Sequence, residues 1–470
     1  MRQSGVPFRT KFFYGLGSLA YGVKDNGFSY LLLIFYNQVL GLPAEWVGAG
    51  IMLALLVDAV TDPLVGYASD HLRSRWGRRH PFMYASAIPV AVTYYVLWNP
   101  PDGLSPSQLF LYFITVAILV RIFVTFYEIP STALVPELTE DYDERTSMLG
   151  YRYFFGWSGG LLMALLAFLV FLPASLGGVS YRPGYGHYAA LASGLMLLGI
   201  LASALGTHDR IPTLVQPPKM KRRSRREVWQ ELKQTLSNRS FAVLFISSLF
   251  TAMAAGVSTS LNVYFNTYFW DFDTAQIGYL VAPLFLSAGV ALLIAPLISQ
   301  RIGKKRAAIG VAGVAFFAAP LPITLRLLGW FPANGTETLF YTLLVFGVIE
   351  VTLIITASIL ISSMVADIVE ESELVTGRRS EGIFFAARSF AQKAVHGIGT
   401  FLATMILVAV DFPREAHLGE VQPETIRHLG MVYVPVVMLL YVGALIFLTG
   451  YRISRESHSE NLRRLSQADG

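Results

Sequence analysis

The sequence predicts an all-α membrane protein of twelve transmembrane helices in two six-helix halves, and three observations carry that expectation. Of its 470 residues, 54% are hydrophobic and 14% charged, with a mean hydropathy of +0.52, the balance of a polytopic membrane protein. The apolar residues gather into runs near the ~20 residues needed to cross a bilayer. The pattern also recurs. Gly66-Tyr67-Ala68-Ser69-Asp70 and Gly77-Arg78-Arg79 follow the second run. Pro296-Leu297-Ile298-Ser299-Gln300-Arg301 and Gly303-Lys304-Lys305-Arg306 follow the eighth, about half a chain later.

The first half, 1–206, holds spans expected at 13–40, 45–68, 82–99, 107–136, 147–172 and 188–206. A hydrophilic connector at 207–239, with Pro217-Pro218 and the basic run Lys219–Arg226, leads to the second half, 240–452. There the spans are expected at 240–270, 276–299, 307–328, 338–366, 382–410 and 428–450, followed by a polar tail at 453–470. The N-terminus runs from Met1 straight into the first span, so no cleavable signal peptide is expected. Of the 36 Lys and Arg, Arg182, Arg326, Arg414 and Arg427 lie on the far side and Lys24, Arg121, Arg152, Arg388 and Lys393 lie within spans. The rest share the side of the N-terminus, which by the positive-inside rule places both termini in the cytoplasm. The net charge of +5 therefore belongs to loops beside a membrane, with the connector anchoring on anionic lipid, and gives no case for a nucleic-acid partner. Absent cysteine excludes a disulfide framework or thiolate metal site. A monomer in a bacterial inner membrane is the expectation.

Taken in order, the spans carry charges that lipid should forbid. Span 1 has Lys24 beside Asp25. Span 2 has Asp58 and Asp62, which at i,i+4 share one helix face. Asp58 lies about 13 residues into its span, roughly 20 Å deep at 1.5 Å per residue. Two close carboxylates disfavour joint ionisation, and Na+ or H+ would relieve the repulsion. Thr61 and Thr125 add neutral oxygens, which hard cations prefer. On span 4, Arg121, Thr125 and Glu128 recur at i, i+4 and i+7, one stripe. Span 5 brings Arg152, span 10 Glu350, and span 11 Arg388 and Lys393. An ionised group at the bilayer centre costs roughly 2.5–3.5 kcal/mol and is normally tolerated only in a bundle interior with a partner, so charges of both signs on many spans point to a transporter. From the residues alone, a structural ion-pair network is an equal alternative.

Three further features are weighed. After span 2, Asp70 with Arg73, Arg75, Arg78 and Arg79 forms a candidate cytoplasmic gate toward Glu137, Asp367, Glu370 and Glu373, with Arg379 counted among its residues and Gly77 chosen for a tight turn; topology alone is the plainer account of the arginines. Asn262, Tyr264, Asn266 and Tyr268 on span 7 offer polar and aromatic contacts for a solute, or an interfacial belt. Gly156-Trp157-Ser158-Gly159-Gly160 matches G-x-S-x-G, with His396 on another span. A hydrolase elbow needs a strand-to-helix turn, so this reads as a small-residue packing face and no enzyme is expected. No nucleotide- or phosphate-cradling motif is present, so no cofactor is expected beyond a coupling ion.

Two six-span halves joined by a basic linker resemble the major facilitator superfamily. Lys24-Asp25, Asp58-Ala59-Val60-Thr61-Asp62-Pro63, Arg73-Ser74-Arg75-Trp76-Gly77-Arg78, Glu128-Ile129-Pro130, Tyr151-Arg152 and Lys393, in this order along the chain, resemble within it the glycoside-pentoside-hexuronide:cation symporters, the melibiose-carrier family. The segment Met364–Glu373, with Arg379 and Glu381, fits as well. The resemblance implies alternating access around a midplane site. It further implies a coupling cation, Na+ or H+, at Asp58 and Asp62 with Thr125, Lys393 linking cation to solute occupancy, and solute contacts from Asp25, Glu128 and Arg152 with Lys24 nearby. The sugar-stacking Trp of the family is Thr132 here, which leaves Tyr127 as the candidate stacking group. A glycoside, pentoside or hexuronide is the expected small-molecule substrate. A lysolipid-like amphiphile, carried by a vertebrate member of the wider group, and an uncoupled facilitator or scramblase are the alternatives.

Overall fold

The computed structural model describes residues 6–139, 142–214, 239–376, 381–416 and 419–451. Among these every regular element is helical. The first expected span is several short pieces rather than one rod. Helices α1 (Phe8–Leu16) and α2 (Ser18–Asn26) are followed by wide π turns at Gly27–Leu31 and Phe35–Val39. Helices α3 (Ala44–His71), α4 (His80–Leu97), α5 (Pro106–Leu138), α6 (Tyr142–Leu166) and α7 (Arg182–Gly206) come next. The later part holds α8 (Arg239–Tyr264), α9 (Thr274–Val281), α10 (Leu284–Ile302), α11 (Lys304–Ala318), α12 (Leu321–Leu327), α13 (Glu337–Thr376), α14 (Glu381–Ala409) and α15 (Pro423–Thr449).

Local chemistry sets several of these boundaries. Ser105 and Gln108 form a reciprocal capping box ahead of Pro106 at the start of α5, and Asp273 with Gln276 repeats it at α9, each satisfying two otherwise orphaned donors. Gly77 takes φ +72° in the turn between α3 and α4, a conformation closed to most side chains. Nine helices among the described residues are long and apolar enough to cross a membrane, ten if the bent pair 274–302 is one span. Two expected spans fall outside that count. The first is divided at Gly17 and by its π turns, and the third, α4, has only 18 residues with Pro81, Pro89 and His80 among them.

The chain resolves into two compact units. One comprises Met1–Met220 together with Thr259–Ala282 and Thr400–Val421; the other comprises Lys221–Ser258, Pro283–Gly399 and Gln422–Gly470. Two segments from beyond residue 240 thus belong with the first unit. Most of the expected connector and all of the expected tail lie outside the described residues. In the first unit α2 packs on α6 backbone to backbone: a Cβ on Gly22 would stand 1.8 Å from the Gly156 carbonyl oxygen, and one on Gly160 would stand 2.8 Å from that of Gly22. This is the small-residue face expected for Gly156 and Gly160. In the second unit Gly399 lies against the Met253 carbonyl, and Phe316 stacks on Tyr441 at 4.4 Å.

Candidate functional site

Helices α3 and α5 pack side by side and bring Asp58 and Asp62 to the Arg121–Thr125 stripe. Asp58 is 3% exposed and Arg121 4%. Arg121 Nη1 donates to Asp58 Oδ2 at 2.8 Å. The Thr125 hydroxyl stands 2.9 Å from Asp58 Oδ1 and 3.0 Å from Asp62 Oδ1, its single hydrogen shared between the two carboxylates. The guanidinium also lies 4.9 Å from the centroid of the Phe28 ring, which is carried on the first π turn. Thr61 stands apart from the cluster: its hydroxyl donates to the main-chain oxygen of Asp58 at 3.1 Å. In a medium of low dielectric, Asp58 and Arg121 attract each other far more strongly than in water.

The expected solute residues gather around Tyr21. Lys24 is buried, pairs with Asp25 at 3.3 Å and sits 4.8 Å from the Tyr21 ring, while the Asp25 side chain is half exposed. The charges of Asp25, Glu128, Arg152 and Arg121 all reach the Tyr21 hydroxyl, so one neighbourhood holds them. Arg152 donates to Ser131 Oγ at 3.0 Å. Tyr127 is placed differently. It is fully buried, and its hydroxyl donates to Ser203 at 2.9 Å in the notch left by Gly17. A Cβ on Gly17 would lie 1.7 Å from that oxygen, so Tyr127 locks α2 against α7 here. Thr132 is exposed and its hydroxyl turns back to the Glu128 carbonyl. Lys393 lies partly buried on α14 in the second unit. Glu350 lies on α13 in the same unit; the side chain of Arg388 lies outside the described residues.

At the loop after α3, the arginine that matters is Arg79. Only 5% exposed, it meets Asp70 and donates to Glu137 Oε1 at 2.8 Å and to Ser69 at 2.6 Å. Arg78 joins it on Glu137 at 2.7 Å. Arg73 and Arg75 are exposed, the latter over the Trp76 ring. The described clamp therefore ties the ends of α3, α4 and α5 within one unit. The side chains of Asp367, Glu370 and Glu373, and Arg379 altogether, lie outside the described residues. Glu137→Gln removes the carboxylate from two guanidiniums, and a loss of about 2–3 kcal/mol is expected, read as a lower unfolding temperature in detergent.

Beside this clamp, His80 is wholly buried. The Thr207 hydroxyl donates to the Ser203 carbonyl at 2.8 Å, so it accepts from Nε2–H of His80 at 2.9 Å. Nδ1 then has no partner among the described residues. Burial first, and the nearby His208 ring second, lower the His80 pKa from 6.5 to about 4. The folded-state value is depressed for a base, so its contribution is complete above pH 6.5. It is lost as pH falls toward 4, where the unfolded chain binds the extra proton. The window amounts to about 3 kcal/mol. Unfolding temperature measured from pH 7.5 to 4.5 should fall in the wild type and fall less in His80→Gln.

Sequence reasoning missed one polar cluster. Asn37 and Gln38 are both buried. Tyr264 donates to Asn37 Oδ1 at 2.7 Å, Gln38 donates to the Pro413 carbonyl at 3.0 Å, and the Ala416 amide donates to Gln38 Oε1 at 2.9 Å. Tyr268 donates to the Ala416 carbonyl at 2.9 Å. These bonds hold Thr259–Ala282 and Thr400–Val421 in the first unit, and they make Tyr264 and Tyr268 buried latch residues rather than belt residues. Asn37-Gln38 inside the aromatic run Phe35–Val39 was the available signal.

Buried, paired charges on a helical membrane bundle suit a transporter as well as a structural ion-pair network, and comparison with known proteins identifies the class. The chain belongs to the MFS/sugar transport protein family, whose model matches residues 13–455. It is therefore a multi-pass membrane transporter of the major facilitator superfamily, and the Ser158 motif is not that of an enzyme. It is 26% identical to an uncharacterized symporter of Synechocystis sp., over 97% of this chain and 96% of that one. It is 26% identical to the isoprimeverose transporter of Lactiplantibacillus pentosus (92% and 86% covered) and 27% identical to a putative glycoside/cation symporter of Escherichia coli (96% and 93%). The fold is similar to that of a D-xylose-proton symporter, with a TM-score of 0.64 at 16% identity, covering 94% of this chain and 97% of that one.

Proposed function

We propose that the protein is a cation-coupled symporter of a small polyhydroxylated solute of the glycoside, pentoside or hexuronide class, working by alternating access. The observation that carries this is the buried Asp58–Arg121–Thr125 cluster with the half-buried Asp62 at its edge, whose desolvated ion pair a passive pore would not need. The names of two relatives, an isoprimeverose transporter and a putative glycoside/cation symporter, support the solute class.

In this reading Asp58 and Asp62, with Thr125, form the ion-coupling pair, and the coupling ion is H+ or Na+. Lys393 links cation occupancy to solute occupancy. Asp25, Glu128, Arg152 and Lys24 hold solute hydroxyls, with Tyr21 better placed than Tyr127 to present a ring face. The protein functions as a monomer in a bacterial inner membrane with both termini cytoplasmic. The test is uptake by proteoliposomes of labelled glycosides, pentosides, hexuronates and lysophospholipids under imposed Na+ or H+ gradients. Gradient-driven accumulation of a sugar derivative is expected. Accumulation of the lysophospholipid alone would replace the solute class, and equilibration indifferent to either gradient would overturn coupling.

A further inference from the structure

We infer that Arg121 is a resident cation that fills the Asp58 arm of the carboxylate pair and excludes Na+ from it. The inference rests on the reading of Asp58 and Asp62 as the coupling pair, and it decides between the two ions which that reading leaves open.

The argument begins with the oxygens. A hard cation needs several oxygen ligands converging on one point. Asp58 Oδ2 is already bonded to Arg121 at 2.8 Å and Oδ1 to Thr125 at 2.9 Å. The Thr125 hydroxyl directs its hydrogen at the carboxylates, and the Thr61 hydroxyl is engaged with the main chain. Na+ coordinated by both Asp58 oxygens along these bond directions would have to displace the guanidinium and turn Thr125 away.

The guanidinium resists displacement. It cannot be deprotonated in a protein, so it would have to leave as a charge. It is 4% exposed and lies against the Phe28 ring, where cation and aromatic face attract one another. Stripping it from its buried carboxylate corresponds to a penalty of at least about a hundredfold in ion affinity. If it stayed, Na+ and guanidinium would share one carboxylate within a few ångströms, and like charges repel strongly in that medium. Of the two candidate ions, H+ can be taken up on Asp62 while the Arg121–Asp58 bond stays in place, since the guanidinium itself holds Asp58 ionised.

Binding of 22Na+ to the purified full-length protein, without solute, tests this. Wild type is expected to show no saturable binding, and Arg121→Ala to acquire it, at least about a hundredfold tighter. Adding Asp58→Asn to Arg121→Ala should abolish it again. Arg121→Gln serves in case the Ala variant does not fold, and in either variant NaCl should raise the unfolding temperature relative to choline chloride. Saturable wild-type binding that Asp58→Asn removes would overturn the inference. Absence of binding in wild type and in both Arg121 variants would also overturn it, because Arg121 would not then be what excludes the ion. Na+-driven uptake in proteoliposomes would sink this inference and leave symport standing. Indifference to both gradients would sink symport instead.

Discussion

Asp58→Asn is expected to abolish gradient-driven accumulation and to destabilise the protein together. The substitution keeps the shape and an acceptor oxygen, so Thr125 retains a partner. It removes the charge opposite a guanidinium that is 4% exposed and bonded at 2.8 Å. Removing one partner of a buried ion pair costs about 3–5 kcal/mol, because the other charge is left uncompensated. Native stabilities are about 5–15 kcal/mol, so the variant should fold but with a lowered unfolding temperature. The double variant Asp58→Asn, Arg121→Gln separates structure from function. With both charges gone, stability should recover well above the sum of the single losses, as coupled neighbours do, while accumulation stays absent. Recovery of accumulation as well would make the pair a structural bridge only.

Gly22→Ala should be the most damaging single methyl in the first unit. Its Cβ would stand 1.8 Å from the Gly156 carbonyl oxygen, and both atoms belong to backbones, so no rotamer change relieves the clash. Helices α2 and α6 would have to separate, and with them the Tyr21–Asp25 face would move from Arg152. Overpacking typically costs about 1–3 kcal/mol where side chains can yield; here none can, and more than that is expected. Gly194→Ala is the control, since a methyl there would meet nothing within 4 Å and helix propensity favours Ala by about 1 kcal/mol. Monodisperse yield in detergent should fall sharply for the first and hold for the second.

Much of this was legible in the sequence, and the residues show why. Asp58 and Asp62 share a face because i,i+4 spacing is a property of one helix. The stripe of Arg121, Thr125 and Glu128 follows from the same rule. Which stripe residue meets which aspartate depends on the rotation of α3 against α5, which no single-helix period contains. Tyr127 and Glu128 are neighbours in sequence yet part company, because Tyr127 points into the Gly17 notch. Among the loop arginines the charge pattern was plain, but the buried one is Arg79, selected by where α3 ends and α4 begins. The π turns around Phe28 and Phe35 have no local composition to announce them, and they place the ring over Arg121 and position Asn37 and Gln38.

The most direct test of coupling at the carboxylate pair is uptake of a labelled glycoside panel into proteoliposomes, wild type beside Asp58→Asn, with H+ or Na+ gradients imposed in turn. Accumulation above equilibrium driven by one gradient in the wild type, and only equilibration in Asp58→Asn, is the predicted result. Equal accumulation in both proteins would contradict it.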